Sequence, residues 1–367
     1  MKRKLSTSLA VAAVVALTFS GCASSDNGQS TNGTGEGGEF EGRTITVQSW
    51  GGDITQAETD AYYKPFEEAT GATVRVMEIT AQTAALLKQQ VQTGTPEWDL
   101  VTGFPGETIG QFVEEGLLEE LDYAQIPTAS ELLDGAAIDH ALGYEIESAV
   151  TTYSTADGVK PLESMVDFFD AENFPGPRMA PNWGTASMQC ELALLADGVS
   201  EDELYPLDID RCIEVWDRVK PSVSVWFDSG SLMAQTLVQD EVVYCMCWDG
   251  RVQQALSTNR NWTYNFDGGQ SYFVYAGIPK GSANADVAHA LLDFMSGAQA
   301  QANFAEAMGY SPSNSNSVNL MPVELRPFMA TSTENSQLAY FRSTENNEKV
   351  NESNEEVERA FGDFLAR

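Results

Sequence analysis

The chain has 367 residues, enough for two domains, and its 43% apolar content is that of a protein that buries a full core. Its 54 acidic residues against 20 basic ones give a formal charge of −34, which argues against nucleic acid as a partner, because phosphates are held mainly by Lys and Arg. The same charge disfavours direct binding to anionic lipid, and it reads more simply as surface solubility than as a dedicated cation site.

Lys2, Arg3 and Lys4 precede an apolar run from Leu9 to Phe19 that is too short for a comfortable membrane span, and Ser20-Gly21-Cys22 follows. The pattern resembles a bacterial lipoprotein signal. That resemblance implies a leader over residues 1–22 and lipidation of Cys22 as the mature N-terminus, with an ordinary cleaved secretory peptide as the alternative. Residues 23–42, rich in Ser, Gly, Asn and Thr, cannot build a core and read as a flexible linker. No later stretch reaches eighteen apolar residues, so the rest is expected to stand outside the membrane. Export permits disulfides among Cys190, Cys212, Cys245 and Cys247, with three possible pairings. Two positions apart on a strand, Cys245 and Cys247 would have α-carbons about 6.6 Å apart, near the upper limit for a bridge. A bond from one of them to another segment, or from Cys190 to Cys212, is therefore easier to build.

Taken in order, Thr44 to Gln48 alternates as a strand and runs into Trp50-Gly51-Gly52-Asp53, whose glycines allow a ligand to come close to the backbone. A helix is predicted over about 55–69, which puts that turn at the carboxyl end of a strand, where open α/β sheets place binding crevices. A strand over 73–77, a helix over 81–93, a strand over 98–102 and a helix over 107–115 continue the alternation of a mostly parallel sheet covered by helices. Gly103, Phe104, Pro105 and Gly106 end the third strand in a similar turn. The β-rich segment 146–155 is expected to carry the chain into a second lobe. There, helices are predicted over 187–196 and 209–219, the latter with Ile209, Cys212, Trp216 and Val219 on one core-facing stripe. Strands over 223–228 and 241–250 end in Asp228 and in Trp248-Asp249-Gly250. A strand over 272–279, a long helix over 285–308 closed by Gly309, and a final helix with Val357, Phe361, Phe364 and Leu365 on one face complete the chain. Residues 345–358 read as a solvated face.

Ser49-Trp-Gly-Gly, Glu97-Trp-Asp-Leu-Val, Glu115-Gly-Leu-Leu-Glu-Glu-Leu-Asp122, Phe168-Phe-Asp-Ala-Glu-Asn-Phe-Pro-Gly-Pro-Arg178, Trp248-Asp-Gly-Arg251 and Gly309-Tyr-Ser-Pro-Ser-Asn314 resemble the extracellular solute-binding proteins of ABC importers, the spermidine/putrescine branch above all. The resemblance implies an α/β, two-lobed periplasmic-binding-protein fold of type II, with a hinge and a ligand cleft between lobes. It implies lobe 1 over 43–148 and 250–308, lobe 2 over 149–249 and 309–367, and a membrane permease as partner to a monomer.

In that branch aromatic rings clamp the alkyl part of the ligand while carboxylates hold its ammonium groups. Trp50, Trp248 and Tyr272 match aromatic positions of the family. Gly51, Asp53, Gly103, Phe104, Asp228, Asp249 and Tyr310 complete the candidate site from their places at strand ends and turns. The carboxylates carry over poorly: Val274 stands where an acid is expected two positions after Tyr272, and Thr185 and Met188 stand where polyamine binders show acids. The ligand is then a polyamine-like or other organic solute with less positive charge, or with its charge held elsewhere.

An exported enzyme or a metal-binding protein on the same scaffold is the alternative. The chain has only two histidines, His140 and His289, and no nucleophile elbow, zinc-protease motif or phosphate-binding glycine loop, so no cofactor is expected. Cys245 and Cys247 lack a second Cys/His pair close in sequence, and Tyr272 and Tyr275 are not adjacent as a ferric site through tyrosines would favour. Presentation of the ligand to a sensor rather than an importer is compatible with the same residues.

Overall fold

A computed structural model describes residues 38–79, 82–182 and 186–367. The leader with Cys22, residues 23–37 of the expected linker, and Thr185 lie outside the described residues. The globule begins earlier than residue 43: Phe40 donates its amide to the Thr70 carbonyl at 2.9 Å, and its ring packs 6.5 Å from that of Phe66.

Eleven strands among the described residues form one hydrogen-bonded sheet: β1 (Thr44–Ser49), β2 (Thr73–Glu78), β3 (Leu100–Pro105), β4 (Ala137–Ile138), β5 (Ala141–Ser154), β6 (Arg178–Pro181), β7 (Val223–Phe227), β8 (Tyr244–Trp248), β9 (Trp262–Gly277), β10 (Ser311–Pro312) and β11 (Tyr340–Phe341). The order is β2-β1-β3-β9-β5-β8-β6-β7, with β4 and β10 on β5 and β11 on β9. β1 lies between β2 and β3, parallel to both, so its polar positions Thr46, Gln48 and Ser49 are buried along with Ile45 and Val47.

Two strands, β5 with 14 residues and β9 with 16, run antiparallel through both wings of the sheet. Pro105 at the end of β3 pairs with Val274, and Trp248 at the end of β8 pairs with Ala149. Since Val274 pairs with Glu145 and Gln270 with Ala149, the carboxyl ends of β3 and β8 arrive from opposite directions on the same few central rows. β10 pairs with Glu145 and Ile146, and β11 with Gln270 and Ser271, so these short strands flank those rows as well.

This register moves the expected crossings. The chain still pairs with Thr151–Ser154 when β9 opens at residue 262, well after Gly250, and it reaches the first wing only from about Ser271. The passage expected at Gly309 is not there: β10 stays on the first-wing half of β5. The final helix, Thr344–Ala366, serves both wings. Asn351 donates to the Glu107 carbonyl at 2.9 Å, and at the other end the Phe361 ring lies 5.7 Å from that of Trp216. Residues 345–358 are therefore only in part a solvated face, with Asn347 and Val350 buried.

The helix expected over 285–308 is two, Ala285–Ser296 and Ala298–Met308, interrupted at Gly297, whose ψ of 135° is extended. Cys190 and Cys212 are bridged, joining helices Ala186–Ala196 and Ile209–Val219 with α-carbons 5.1 Å apart. Cys245 and Cys247 are bridged to each other, against the sequence expectation. Their α-carbons approach to 5.4 Å, so β8 is shortened locally from full extension into the ordinary range for a disulfide. Trp216 is core, as its stripe suggests, donating to the Gln189 carbonyl at 3.1 Å. His289 has a packing role: Nε2 accepts the Asp122 amide at 3.0 Å, and Nδ1 lies 2.6 Å from the Ala285 carbonyl.

The burial of Phe361 yields a test of whether the final helix belongs to the cooperative unit. Phe361→Ala should lower the unfolding free energy in urea by about 3–5 kcal/mol, the usual cost of emptying a buried phenylalanine site. A loss below about 1 kcal/mol would mean that the helix frays without the rest.

Candidate functional site

At the carboxyl end of β1 the backbone turns through two glycines of positive φ, Gly51 at 84° and Gly52 at 65°. The turn is pinned by the Gly51 amide donating to Thr55 Oγ1 at 2.9 Å. Trp50 Nε1 donates to the Thr102 carbonyl at 3.0 Å, and its ring lies 5.5 Å from Phe104. This contact requires Gly103: its φ is 83°, and a Cβ there would fall 2.2 Å from Trp50 Nε1. The first wing thus presents Trp50, Gly51, Gly103 and Phe104 as one packed group.

At the end of β8, Trp248 Nε1 donates to Tyr272 Oη at 2.7 Å, and Tyr272 in turn donates to Glu147 Oε2 at 2.8 Å. Phe227 packs edge-on to Trp248 at 5.4 Å. Asp249 Oδ1 accepts the amides of Ser148 at 3.1 Å and Gly250 at 3.0 Å, which ties the start of helix Asp249–Leu256 to β5. Tyr310 is buried against Gly250, where a Cβ would stand 2.5 Å from its ring. Trp248, Asp249, Tyr272 and Tyr310 are therefore gathered on the central rows. Asp228 and Asp53 are exposed. Asp228 follows β7, just before the Ser229 cap of helix Gly230–Val238, while Asp53 lines a groove of about 700 Å³ with Gln235, Gln253, Gln254 and Met308.

The sequence reading missed the acids of this centre. Glu145 and Glu147 lie two apart on β5, on the face shared with Val274 and Tyr272. Glu58 accepts from Ser49 Oγ at 2.6 Å and from Tyr144 Oη at 3.2 Å. Glu58, Glu145 and Asp249 are fully buried, and Glu147 is half-buried. Burial pushes the carboxyls of Glu145 and Asp249 well above the ordinary range, with the charge of Glu147 adding to it. Burial raises Glu58 too, against the pull of its hydroxyl donors, and raises Glu147 against the Tyr272 hydrogen bond and the Arg251 guanidinium. The spacing Glu145-Ile-Glu147 inside a β-rich run was the available signal.

Arg342, buried just after β11, was also missed. It pairs through Nη1 with Glu107 Oε2 at 3.0 Å and through Nη2 with Glu191 Oε2, to which Gln270 Nε2 also donates at 2.9 Å. Glu107 opens the helix that follows β3, and Glu191 sits on helix Ala186–Ala196 of the second wing, so one guanidinium joins the wings beside the central rows. Met188, where an acid was sought, is buried.

Two wings whose strand ends face each other across a shared pair of strands define a bilobal solute-binding fold, and residues 61–331 match the family model for bacterial extracellular solute-binding proteins, to which the chain belongs. It is 28% identical over 334 residues to the gamma-aminobutyric acid-binding protein of Pseudomonas aeruginosa, covering 90% of this chain and 93% of that one. It is 22% identical over 327 residues to spermidine/putrescine-binding periplasmic protein 1 of Haemophilus influenzae, covering 86% and 87% respectively. The crystal structure of an ABC transporter substrate-binding protein from Bradyrhizobium japonicum superposes with a TM-score of 0.80 at 30% identity, covering 88% of this chain and 99% of that one. Members of this family bind small solutes for ABC transporters. Among the described residues no helix is long and apolar enough to cross a membrane.

Two outcomes follow from this geometry. Gly103→Ala should cost more than the roughly 1 kcal/mol of a strained positive φ, because the added methyl also displaces the Trp50 indole, and chemical unfolding measures it. The buried acids make stability fall as pH rises. With folded pKa values above the unfolded ones, the native state holds more protons above about pH 4.5, so their contribution is complete below that pH and is lost as pH climbs through the raised values. Acids with lowered values, the exposed Asp60 and the half-buried Asp197 among them, act at lower pH. The urea midpoint should therefore fall as pH rises above about 4.5; a midpoint that stays level would mean the acids ionise as freely in the fold as in the unfolded chain.

Proposed function

We propose that the protein is the solute-binding lipoprotein of an ABC importer, anchored through Cys22, and that it captures a small amine-bearing organic solute and delivers it to a membrane permease. The two wings act as lobes that close on the solute, with β5 and β9 as the hinge strands near residues 148 and 270. The single observation that carries this reading is the Trp248–Tyr272–Glu147 hydrogen-bond chain on the rows where β3 and β8 converge. Its rings offer apolar faces to an alkyl chain, and its carboxylate offers an acceptor to a cation.

A zwitterionic ω-amino acid such as gamma-aminobutyric acid fits better than a polyamine. Val274 leaves β9 without the acid that the polyamine branch uses, and the gamma-aminobutyric acid-binding relative has higher identity and coverage than the spermidine/putrescine-binding one. Ligand favours the closed state through contacts made with both lobes at once, and no chemical step is needed. A binding protein that hands its solute to a sensor uses the same contacts.

Thermal shift of the soluble globule against gamma-aminobutyric acid, putrescine, spermidine and amino-acid derivatives tests the class. A ligand at one hundred times its Kd adds about 2.7 kcal/mol to the native state and raises Tm accordingly. Trp50→Ala should weaken the binding of a hit by more than tenfold while the protein stays folded. Unchanged affinity removes Trp50 from the site, and turnover of the released solute, seen by mass spectrometry, would replace binding by catalysis.

A further inference from the structure

Val274 is the departure from the polyamine pattern that bears most on ligand charge, and the strand register shows what stands beside it. Glu145 is the direct antiparallel partner of Val274, and Glu147 is the partner of Tyr272. Cross-strand partners have β-carbons about 5 Å apart, so a carboxylate at either position reaches the space that an acid on Val274 would serve. We propose that the ammonium-binding carboxylate has crossed from β9 to β5, with Glu147 as the group that holds the cationic end of the solute and Glu145 as the acid behind it. The proposal rests on the solute-binding reading above and deepens it.

Three observations support it. First, Glu147 is the half-buried member of a set in which Glu58, Glu145 and Asp249 are fully buried, so it is the most accessible carboxyl of the four. Second, its Oε2 is oriented by the Tyr272 hydroxyl, whose proton is directed there because its oxygen already accepts from Trp248 Nε1. A neutral donor fixes the carboxylate without cancelling its charge. Third, both oxygens of the fully buried Glu145 lack a hydrogen-bond partner, as does Asp249 Oδ2. The nearby Tyr144 hydroxyl has one proton, and its geometry gives that proton to Glu58. The carboxyl oxygens of Glu145 and Asp249 therefore have acceptor capacity that an ammonium donor can use.

The charges facing Glu147 close the argument. From its own strand comes Glu145; from β9, Tyr272; from the turn before β10, Tyr310; from helix Asp249–Leu256, Asp249 and Arg251; and Glu58 faces Glu145 from the helical segment after β1. Four carboxyl groups thus share one guanidinium, and burial together with their mutual repulsion favours their protonated forms. An arriving ammonium group donates to Glu147, and the proton it displaces leaves for solvent. Affinity for an amine therefore rises with pH as these carboxyls lose their protons.

The test is calorimetry on the soluble globule with gamma-aminobutyric acid, putrescine, spermidine and butyric acid, the last lacking the amine. The expected result is binding of an amine probe but not of butyric acid, tightening with pH. Glu147→Gln should lose about 10-fold to 100-fold in affinity, the range of a charge-assisted hydrogen bond. Glu147→Gln keeps the Tyr272 hydrogen bond, and its Tm checks folding; Glu147→Asp, which keeps the charge, should retain more affinity than the amide. If Glu147→Gln binds the amine within twofold of wild type while Trp50→Ala loses it, the cleft reading stands and the relocated carboxylate is overturned. Equal binding of butyric acid overturns it too. If no amine probe binds the wild type, the amine-solute reading itself fails and this proposal with it.

Discussion

The antiparallel register of β5 on β9 is the constraint from which the rest of the molecule follows. Parallel α/β units on either wing each need a crossover connection, and each ends its strands at one edge of the wing. Because β5 and β9 belong to both wings, the ends of β3 and β8 are brought head to head. A site at the carboxyl ends of strands is common in open α/β sheets, but here two such sites share one floor. A register slip of one residue in β5 would turn Glu145 and Glu147 to the opposite face and leave Tyr144 and Ile146 in their place. The two register shifts that punctuate the pairing, between Gly143 and Glu145 and between Ala149 and Thr151, bracket the floor.

The glycines near the floor have a single purpose in common, close approach of a ring to backbone. Gly103 admits the Trp50 indole and Gly250 admits the Tyr310 ring, each where a methyl group would overlap the ring. These rings occupy volume that side chains would otherwise fill, so their positions are set by what is missing from the neighbouring residue as much as by their own contacts.

Much of this was legible in the sequence because it rests on local periodicity. β1, β2, helix Ile209–Val219 and the Trp50 turn all announce themselves within a dozen residues. The alternation of strand and helix gave the fold class, and the strand-end tryptophans gave the aromatic half of the site. What the sequence could not display was pairing. The first half of β9 is interrupted by Gly268-Gly269 and carries Asn265 and Asp267, which read as turn residues, yet Trp262 to Asn265 pair with Ser154 to Thr151. Glu145 and Glu147 were not among the candidates, because burial of a carboxyl is decided by neighbours far along the chain, here Glu58 and Val274. The C-terminal segment was assigned to one lobe because a helical stripe specifies that a face is buried and not against what. The bridge within β8 was discounted on the spacing of an ideal strand, and the real strand is shorter.

Two buried acidic sites lie close to the same rows and have opposite electrostatic characters. At Arg342, Glu107 and Glu191 meet one guanidinium, and Gln270 adds a neutral donor to Glu191. Such a matched group, desolvated on both partners, contributes more to a defined arrangement of the wings than to net stability. Around Glu145 the balance is left open, with carboxyl groups outnumbering the guanidinium of Arg251 and both Glu145 oxygens unpartnered. Folding does not reward that arrangement, since leaving a buried polar atom unsatisfied costs about 1–3 kcal/mol. The acids beside β11 have a buried guanidinium between them, whereas Glu145 has no cation within hydrogen-bond reach, and that difference is what the proposed cationic solute would answer at the rows where the two wings meet.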